Sequence, residues 1–421
     1  MMNLLAVGFW LMTCGATAGE PAVSALGLRS PAARQLLDMT SGSGGGPFQA
    51  AAVLPIGLPA VPPPALGLPA GVLPAAAAPK VLFSDEAAVN AELVKAIDAS
   101  KTSVEAALFG FSLVDVGEAL VRAKARGVSV RVVFNQNHVF PERTRTKEVQ
   151  YLLDNGIEVR TLRGTRTYGV QHNKIGIFDD KLMKMGSFNW TFSAANYNYE
   201  NALFTSDPGH LAGFSAYWKY MWDMARPFAS GPTGEKPAGS IPAPAPCASS
   251  VTFDGLRLPA CSFSPLGGTE AVLLQAVGRS RSSIDVAAYS FYSQPLAEAL
   301  VAARDRGVRI RVLMDKEMGK KTQITRFLIE KGMDVRWMTG RGKGAMHHKY
   351  AVFDGKLLET GSHNWTNNAE QNDFENILLT TNASAVRAYA RKFSELFAMA
   401  AVPAPEQLPA PEKVEGSSSS D

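Results

Sequence analysis

The sequence predicts an α/β protein built as two pseudo-symmetric halves, each a mixed β-sheet flanked by helices, and three observations lead there. A block running His172-Asn173-Lys174 to Asp179, then Gly186-Ser187-Phe188-Asn189-Trp190-Thr191, returns as His347-His348-Lys349 to Asp354, then Gly361-Ser362-His363-Asn364-Trp365-Thr366. Both parts recur at one offset (347 − 172 = 361 − 186 = 175). Ahead of each block, short apolar runs alternate with segments of helical period, the strand–helix–strand order that gives parallel neighbours in a helix-covered sheet. The chain has 421 residues and 46% hydrophobic content, enough to bury two cores.

Composition divides the chain. Residues 1–18 carry an apolar run closing on Ala16-Thr17-Ala18, a secretory signal pattern that predicts export to the periplasm or medium. Cys14 offers lipoprotein anchoring as a lesser alternative, since Thr13 precedes it where a smaller residue is usual. Residues 19–79 are rich in Pro, Ala and Gly and read as a linker. The repeats then occupy 80–225 and 263–400, a connector 226–262, and a disordered tail 401–421.

In the first repeat, a strand at 81–83 leads to a helix at 86–99 capped by Ser84 or Asp85. A strand at 104–111 and a helix at 116–126 follow, and Gly127 supplies the left-handed residue past the helix end. Strand 130–134, helix 147–153 and strand 157–162 precede the motif strand 175–178. Asp180 turns a hairpin into strand 182–185, and a helix over 210–225 closes the half. The second repeat retraces this path with helix 270–279, strand 284–291, helix 295–306 ending at Gly307, and strand 308–314. Val130-Arg131-Val132 and Ile310-Arg311-Val312 coincide at an offset of 180 (310 − 130), against 175 at the motifs. The first half therefore carries five extra residues around 137–146, a loop placed to shape the pocket.

The motif residues have a chemical logic. Alternate strand residues share a face, so His172 and Lys174 enter one pocket, as do Ser187 and Asn189 beyond the close-approaching Gly186. Such donors suit an anionic oxygen. Each copy later places a carboxylate before an amide, Glu200-Asn201 and Glu375-Asn376, and a Glu bound to one imidazole nitrogen fixes the tautomer of a histidine.

These residues resemble the phospholipase D superfamily, whose signature H-x-K-x4-D followed by G-S-x-N occurs twice per active site. The Asn-Trp-Thr ending is most similar to the branch holding the bacterial endonuclease and mitochondrial cardiolipin hydrolase. The resemblance implies two phospholipase D-like halves with one active site at their interface. It implies phosphodiester cleavage through a phosphohistidine, with His172 as nucleophile and His347 as acid and base, the pseudo-symmetry leaving the reverse assignment open. Lys174, Lys349, Asn189 and Asn364 would hold the phosphoryl oxygens, with Ser187 and Ser362 assisting, while Glu200 and Glu375 orient the imidazoles. Asp179 and Asp354 would support the motif by hydrogen bonds. No metal or cofactor is implied, and the chain is expected to act as a monomer.

Other readings compete at several positions. His172, His347, His348 and His363 could ligate a metal, but a lysine two residues beyond each motif histidine favours a phosphate over a cation. Net charge of +4 is too mild to mark a nucleic-acid binder, so any basic footprint is local. Arg160, Arg163 and Arg166 precede one motif, and Arg336, Arg341 and Lys343 the other. The aromatics Phe188, Trp190, Phe192, Tyr197, Tyr199, Trp365 and Phe374 follow the motifs as packing or as contacts for bases or acyl chains. Cys247 and Cys261 flank the turn signal Asp254-Gly255, which predicts a disulfide. The first choice of substrate is a phospholipid at a membrane surface, on grounds of export. The alternative is nuclease action on DNA or RNA, and the remote alternative an inactive binding module.

Overall fold

A computed structural model describes residues 78–411 apart from 142–144, 233, 235 and 237. The expected signal segment, Cys14, nearly all of the linker and the last ten tail residues lie outside the described residues.

The first sheet contains β1 (Lys80–Phe83), β2 (Ser103–Leu108), β3 (Ser129–Asn135), β4 (Glu158–Leu162), β5 (Lys174–Phe178), β6 (Leu182–Met185), β7 (Asn201–Thr205) and β8 (Arg226–Pro227). Its order is β1-β7-β6-β5-β2-β3-β4-β8. The connector forms a hairpin of β9 (Ser250–Phe253) and β10 (Leu256–Pro259). The second sheet holds β11 (Cys261–Ser264), β12 (Ser283–Ala288), β13 (Arg309–Asp315), β14 (Asp334–Met338), β15 (Lys349–Phe353), β16 (Leu357–Gly361) and β17 (Glu375–Thr380). The order β11-β17-β16-β15-β12-β13-β14 repeats the first apart from β8. In both sheets the helix-linked strands β2-β3-β4 and β12-β13-β14 run parallel, and the motif strands β5 and β15 pair antiparallel to β2 and β12.

Three cores result. Each half packs one face of its sheet against its own helices, through residues such as Leu93, Leu120 and Trp190 in the first half and Leu273, Leu300 and Trp365 in the second. Between the sheets lie the long helices Pro208–Met224 and Ala383–Met399, whose Phe214, Trp218, Tyr389 and Phe393 fill a shared central core. The halves are thereby one folding unit, because the central core exists only when both sheets are present.

Three expectations are corrected. The first helix begins at Val89 without a side-chain cap. Ser84 instead donates to the Asn198 carbonyl at 2.8 Å and accepts from the Glu200 N–H at 3.0 Å, while Asp85 pairs with Lys392 at 2.9 Å, so tertiary partners outcompete the cap. The strands expected at 104–111 and 284–291 stop at Leu108 and Ala288. Beyond them the Phe109 and Tyr289 N–H groups turn to the carbonyls of Asn173 and His348, inside the two motifs. Residues 401–411 of the expected disordered tail pack on the second half: Ala401 exchanges backbone bonds with Trp337, and Arg326 Nε donates to the Pro409 carbonyl at 2.7 Å. The expected bridge is present, with Cys247 and Cys261 bonded across a Cα separation of 5.5 Å. Asp254 and Gly255 turn the hairpin between them with φ of 45° and 78°, the pair of positive values that a two-residue type I′ turn requires.

Candidate active site

The motif strands place their first residues at the carboxyl ends of the parallel strands, since Lys174 lies opposite Leu108 and Lys349 opposite Ala288. Here the backbones of the two halves interlock. His172 N–H donates to the Phe374 carbonyl and Phe374 N–H to that of Val170; His347 N–H donates to Tyr199 and Tyr199 N–H to Ala345. Each strand leading into a histidine therefore runs beside the strand leading into the other half's glutamate.

The consequence is two crossed dyads. His172 Nδ1 lies 2.7 Å from Glu375 Oε1, and His347 Nδ1 lies 2.9 Å from Glu200. Neither half owns a complete pair. With Nδ1 held by a carboxylate, Nε2 is the nitrogen left to meet a substrate. About a tenth of each imidazole side chain stays exposed, 11% for His172 and 10% for His347.

The lysines are held alike. Lys174 Nζ donates to the His172 carbonyl, and Lys349 Nζ to that of His347 at 2.7 Å. Phe109 packs against His172 and under the Lys174 ammonium, centroid distances 4.7 and 5.1 Å, and Tyr289 does the same for His347 and Lys349 at 4.5 and 4.6 Å. Burial lowers both ammonium groups, Lys174 to about 8 and Lys349 to about 7, against the pull of the nearby glutamates. Both imidazoles are also driven toward the neutral form by burial and by the lysines, His172 the further. The glutamates diverge: burial raises Glu375 to about 7, whereas His347 and Lys349 overcome burial and hold Glu200 below its ordinary value. Asp373, two residues before Glu375, is itself pushed by burial and by Glu375 to about 7, and its counterpart in the first half (373 − 175 = 198) is the neutral Asn198.

The remaining motif residues fall into two groups. Asn189 and Asn364 sit half-buried with Oδ1 buried and unpartnered. Ser187 and Ser362 are fully buried and accept from the backbone N–H and the side-chain amide of Asn201 and of Asn376, the backbone bonds at 3.0 and 3.1 Å. The serines thus fix the residue that follows each glutamate. Gly186, at φ 120°, allows this approach, because a Cβ there would fall 2.6 Å from the Asn201 carbonyl oxygen. Asp179 and Asp354 lie at the far end of the motif strands. Asp179 accepts from the N–H groups of Lys101, Thr102 and Ser103, and Asp354 from those of Arg281, Ser282 and Ser283. Burial opposes their charge, yet these donors hold both below the usual carboxylate range.

The structure also brings in residues that the repeat logic set aside. Asn173 and His348 occupy the variable position of H-x-K, yet Asn376 Nδ2 donates to Asn173 Oδ1 at 2.6 Å and Asn201 Nδ2 to His348 Nδ1 at 3.0 Å. These are pins across the interface, and the repeated Glu-Asn dipeptide was their signal. Among the described residues no group of three or more His, Cys, Asp and Glu is arranged to hold a metal ion.

Of the basic residues, Arg160 and Arg336 lie over Trp222 and Phe397 and donate to the carbonyls of those same residues. Arg341 donates to three carbonyls of the first half, those of Ser84, Ala195 and Asn198, and Arg163 faces those of Arg166 and Thr167. Only Arg166 and Lys343 of this set are exposed. Phe188, Trp190, Trp365 and Phe374 are core, whereas Phe192 and Tyr197 face solvent.

The family model described as "Cardiolipin synthase, PLD-like domain" matches residues 93–222 and again 273–397. Mitochondrial cardiolipin hydrolase of Xenopus tropicalis is 36% identical over 158 residues, which are 37% of this chain and 74% of that protein. The Homo sapiens protein of the same name is 36% identical over 126 residues, 30% of this chain and 49% of that protein, so the match spans about half of its length. The crystal structure of phosphatidylserine synthase from Haemophilus influenzae Rd KW20 is alike at a TM-score of 0.59 and 13% identity, over 75% of this chain and 85% of that one, a likeness of fold. Matched in both halves over most of its length, the chain belongs to the PLD-like domain family and is a phosphodiesterase of the phospholipase D superfamily.

Proposed function

We propose that the protein hydrolyses the headgroup phosphodiester of phospholipids through a covalent phosphohistidine. The observation that carries the reading is the crossed pair of His–Glu dyads set between two buried lysines, since one histidine can attack while the other handles protons. Lys174, Lys349 and the amides of Asn189 and Asn364 hold the phosphoryl oxygens. The His172 Nε2 lone pair attacks phosphorus, the bond to the leaving oxygen breaks, and that oxygen takes the proton from His347 Nε2. His347 then removes a proton from water, whose oxygen attacks phosphorus as the N–P bond returns its electrons to His172.

The unlike carboxylates support this division. Glu200 stays anionic and favours a proton on His347, the state an acid needs. His172 is driven further toward the neutral form, the state a nucleophile needs. The lipid substrate is supported by the names of the relatives, both cardiolipin hydrolases, and export by the disulfide, a bond of oxidising compartments.

The test offers the enzyme phosphatidylcholine or cardiolipin vesicles and single-stranded DNA in parallel, with EDTA present and His172→Asn as control. Headgroup or phosphatidate release that the variant lacks is the expected result. DNA shortening beside intact lipid would make the enzyme a nuclease.

A further inference from the structure

We propose that an aromatic rim around the mouth of the site docks the enzyme onto an anionic lipid surface; this rests on the phospholipid reading above and names the face that meets the bilayer. The histidines sit at the carboxyl ends of the parallel strands, so the loops leaving those ends wall the mouth. Among the described residues five aromatic side chains are exposed: Tyr151, Tyr168, Phe192, Tyr197 and Tyr292. Four of the five stand on those loops.

They form two lips. On one, Phe192 and Tyr197 open and follow the short helix Phe192–Asn196 just past Asn189, their rings in edge contact at 5.8 Å, and the Tyr197 carbonyl accepts from Arg341 N–H. On the other, Tyr168 lies four residues before His172 with its carbonyl toward Asn368 Nδ2, and Tyr292 N–H donates to the Trp365 carbonyl, next to Asn364. The lips are pseudo-symmetry mates, since the loop carrying Tyr168 corresponds to that carrying Lys343 and the helix Phe192–Asn196 to Asn367–Gln371. Segments related by a twofold through the mouth stand at one height around it. A flat surface therefore meets both lips together.

The rings point outward, with Tyr168 85% and Phe192 55% exposed, which is the disposition of an interfacial anchor. Arg166 and Lys343 are exposed on the same two loops, one per lip, and complement anionic headgroups. Of the acidic residues on the Tyr168 lip, Glu370 is turned inward, accepting from the Glu270 N–H at 3.0 Å and lying 3.4 Å from His363, and Asp373 is buried, accepting from the Val170 N–H at 2.8 Å.

The test is cosedimentation of the full chain, as His172→Asn so that lipid stays intact, with phosphatidylcholine vesicles containing about a third phosphatidylglycerol. The triple change Tyr168→Ser, Phe192→Ser, Tyr197→Ser should weaken binding at least about tenfold, and Tyr168→Ser alone, at a fully solvated position, about threefold. Tyr151→Ser, off the rim, should bind as the unaltered rim does. Arg166→Gln with Lys343→Gln should weaken binding only when the anionic lipid is present. Unaltered affinity in the triple variant, or no vesicle binding with the rim intact, overturns the proposal. So does rim-dependent binding of oligothymidylate of about twenty nucleotides without vesicle binding, which would make the rings a stacking surface. Because binding is read without turnover, rim-dependent docking that coexists with failure to hydrolyse phospholipid counts against the proposed reaction and not against the rim.

Discussion

Lys184 and Glu359 occupy the same place in the two halves (359 − 184 = 175), and both are fully buried. Lys184 Nζ donates to the carbonyls of Lys174 and Phe188 at 3.1 and 2.7 Å, tying the motif strand to the turn that carries Ser187 and Asn189. Glu359 has both carboxylate oxygens buried without a partner. Burial lowers one and raises the other far from their ordinary values, so both approach neutrality. The duplicated fold has kept the atoms aimed at the substrate and let the support behind them diverge. The first half is stapled, and the second is not.

If that divergence reaches the chemistry, the two histidines differ in role. His172→Asn and His347→Asn should each lower turnover of lipid by about a thousandfold or more. An activated nitrophenyl diester separates them, because its leaving group needs no proton. With that substrate His347→Asn should accumulate a phosphoenzyme on His172, found by mass spectrometry of the acid-quenched protein, and His172→Asn should accumulate none. A phosphate mapped to His347 would reverse the assignment.

The carboxylates sharpen the contrast with a smaller effect. Glu375, raised to about 7, must be ionised to keep the His172 proton on Nδ1, so attack should weaken as pH falls through about 7. On the alkaline side Lys349 and Lys174 lose charge from about 7 and 8, and a bound phosphodiester anion shifts that limb upward. Glu375→Gln accepts the same hydrogen bond without titrating. It should cost about tenfold at pH 8 and flatten the acid limb of kcat/KM, whereas Glu200→Gln, which removes a charge that stabilises the imidazolium, should cost about a hundredfold and leave that limb in place. An unchanged acid limb in Glu375→Gln would remove Glu375 as its source.

How far the sequence carries this picture depends on whether a feature is local. Gly127 and Gly307 stop their helices at φ of 86° and 92°, and the two aspartates brace the motif strands, all readable from one repeat at a time. Which glutamate serves which histidine was not readable, because equal spacing in both copies fits pairing within a half as well as across it. Asn173 and His348 looked unconstrained because they differ, yet unlike side chains can accept the same kind of hydrogen bond from Asn376 and Asn201. Arg341 read as an entrance charge until the carbonyls of the first half claimed it. Lys184 read only as part of a hairpin strand, since nothing in a sequence reports that an ammonium is buried against two carbonyls.

The staple itself gives the next contrast. Lys184→Met should lower kcat about tenfold by loosening Lys174 and the Asn189 turn, while Glu359→Met should leave kcat near the wild-type value. Equal losses in both would mean the position matters for packing alone.

The smallest effect is the most diagnostic, because the two residues act on stability with opposite sign. Glu359 is raised in the folded state, so its contribution is fully present below its unfolded value near 4.5 and is lost as pH rises. Lys184 is lowered in the folded state, so its contribution is fully present above its unfolded value near 10.5 and is lost as pH falls. Between those limits the two slopes oppose each other in the wild type. Glu359→Met leaves the lysine slope exposed, and stability should then climb with pH; it should exceed wild type by about 1–3 kcal/mol at pH 8, where an unpartnered carboxyl is most costly. Lys184→Met leaves the glutamate slope, and stability should fall with pH. Urea midpoints at pH 5, 7 and 9 read both slopes directly. Parallel slopes in the two variants would show that these side chains are solvated in the native state and that the halves are supported alike.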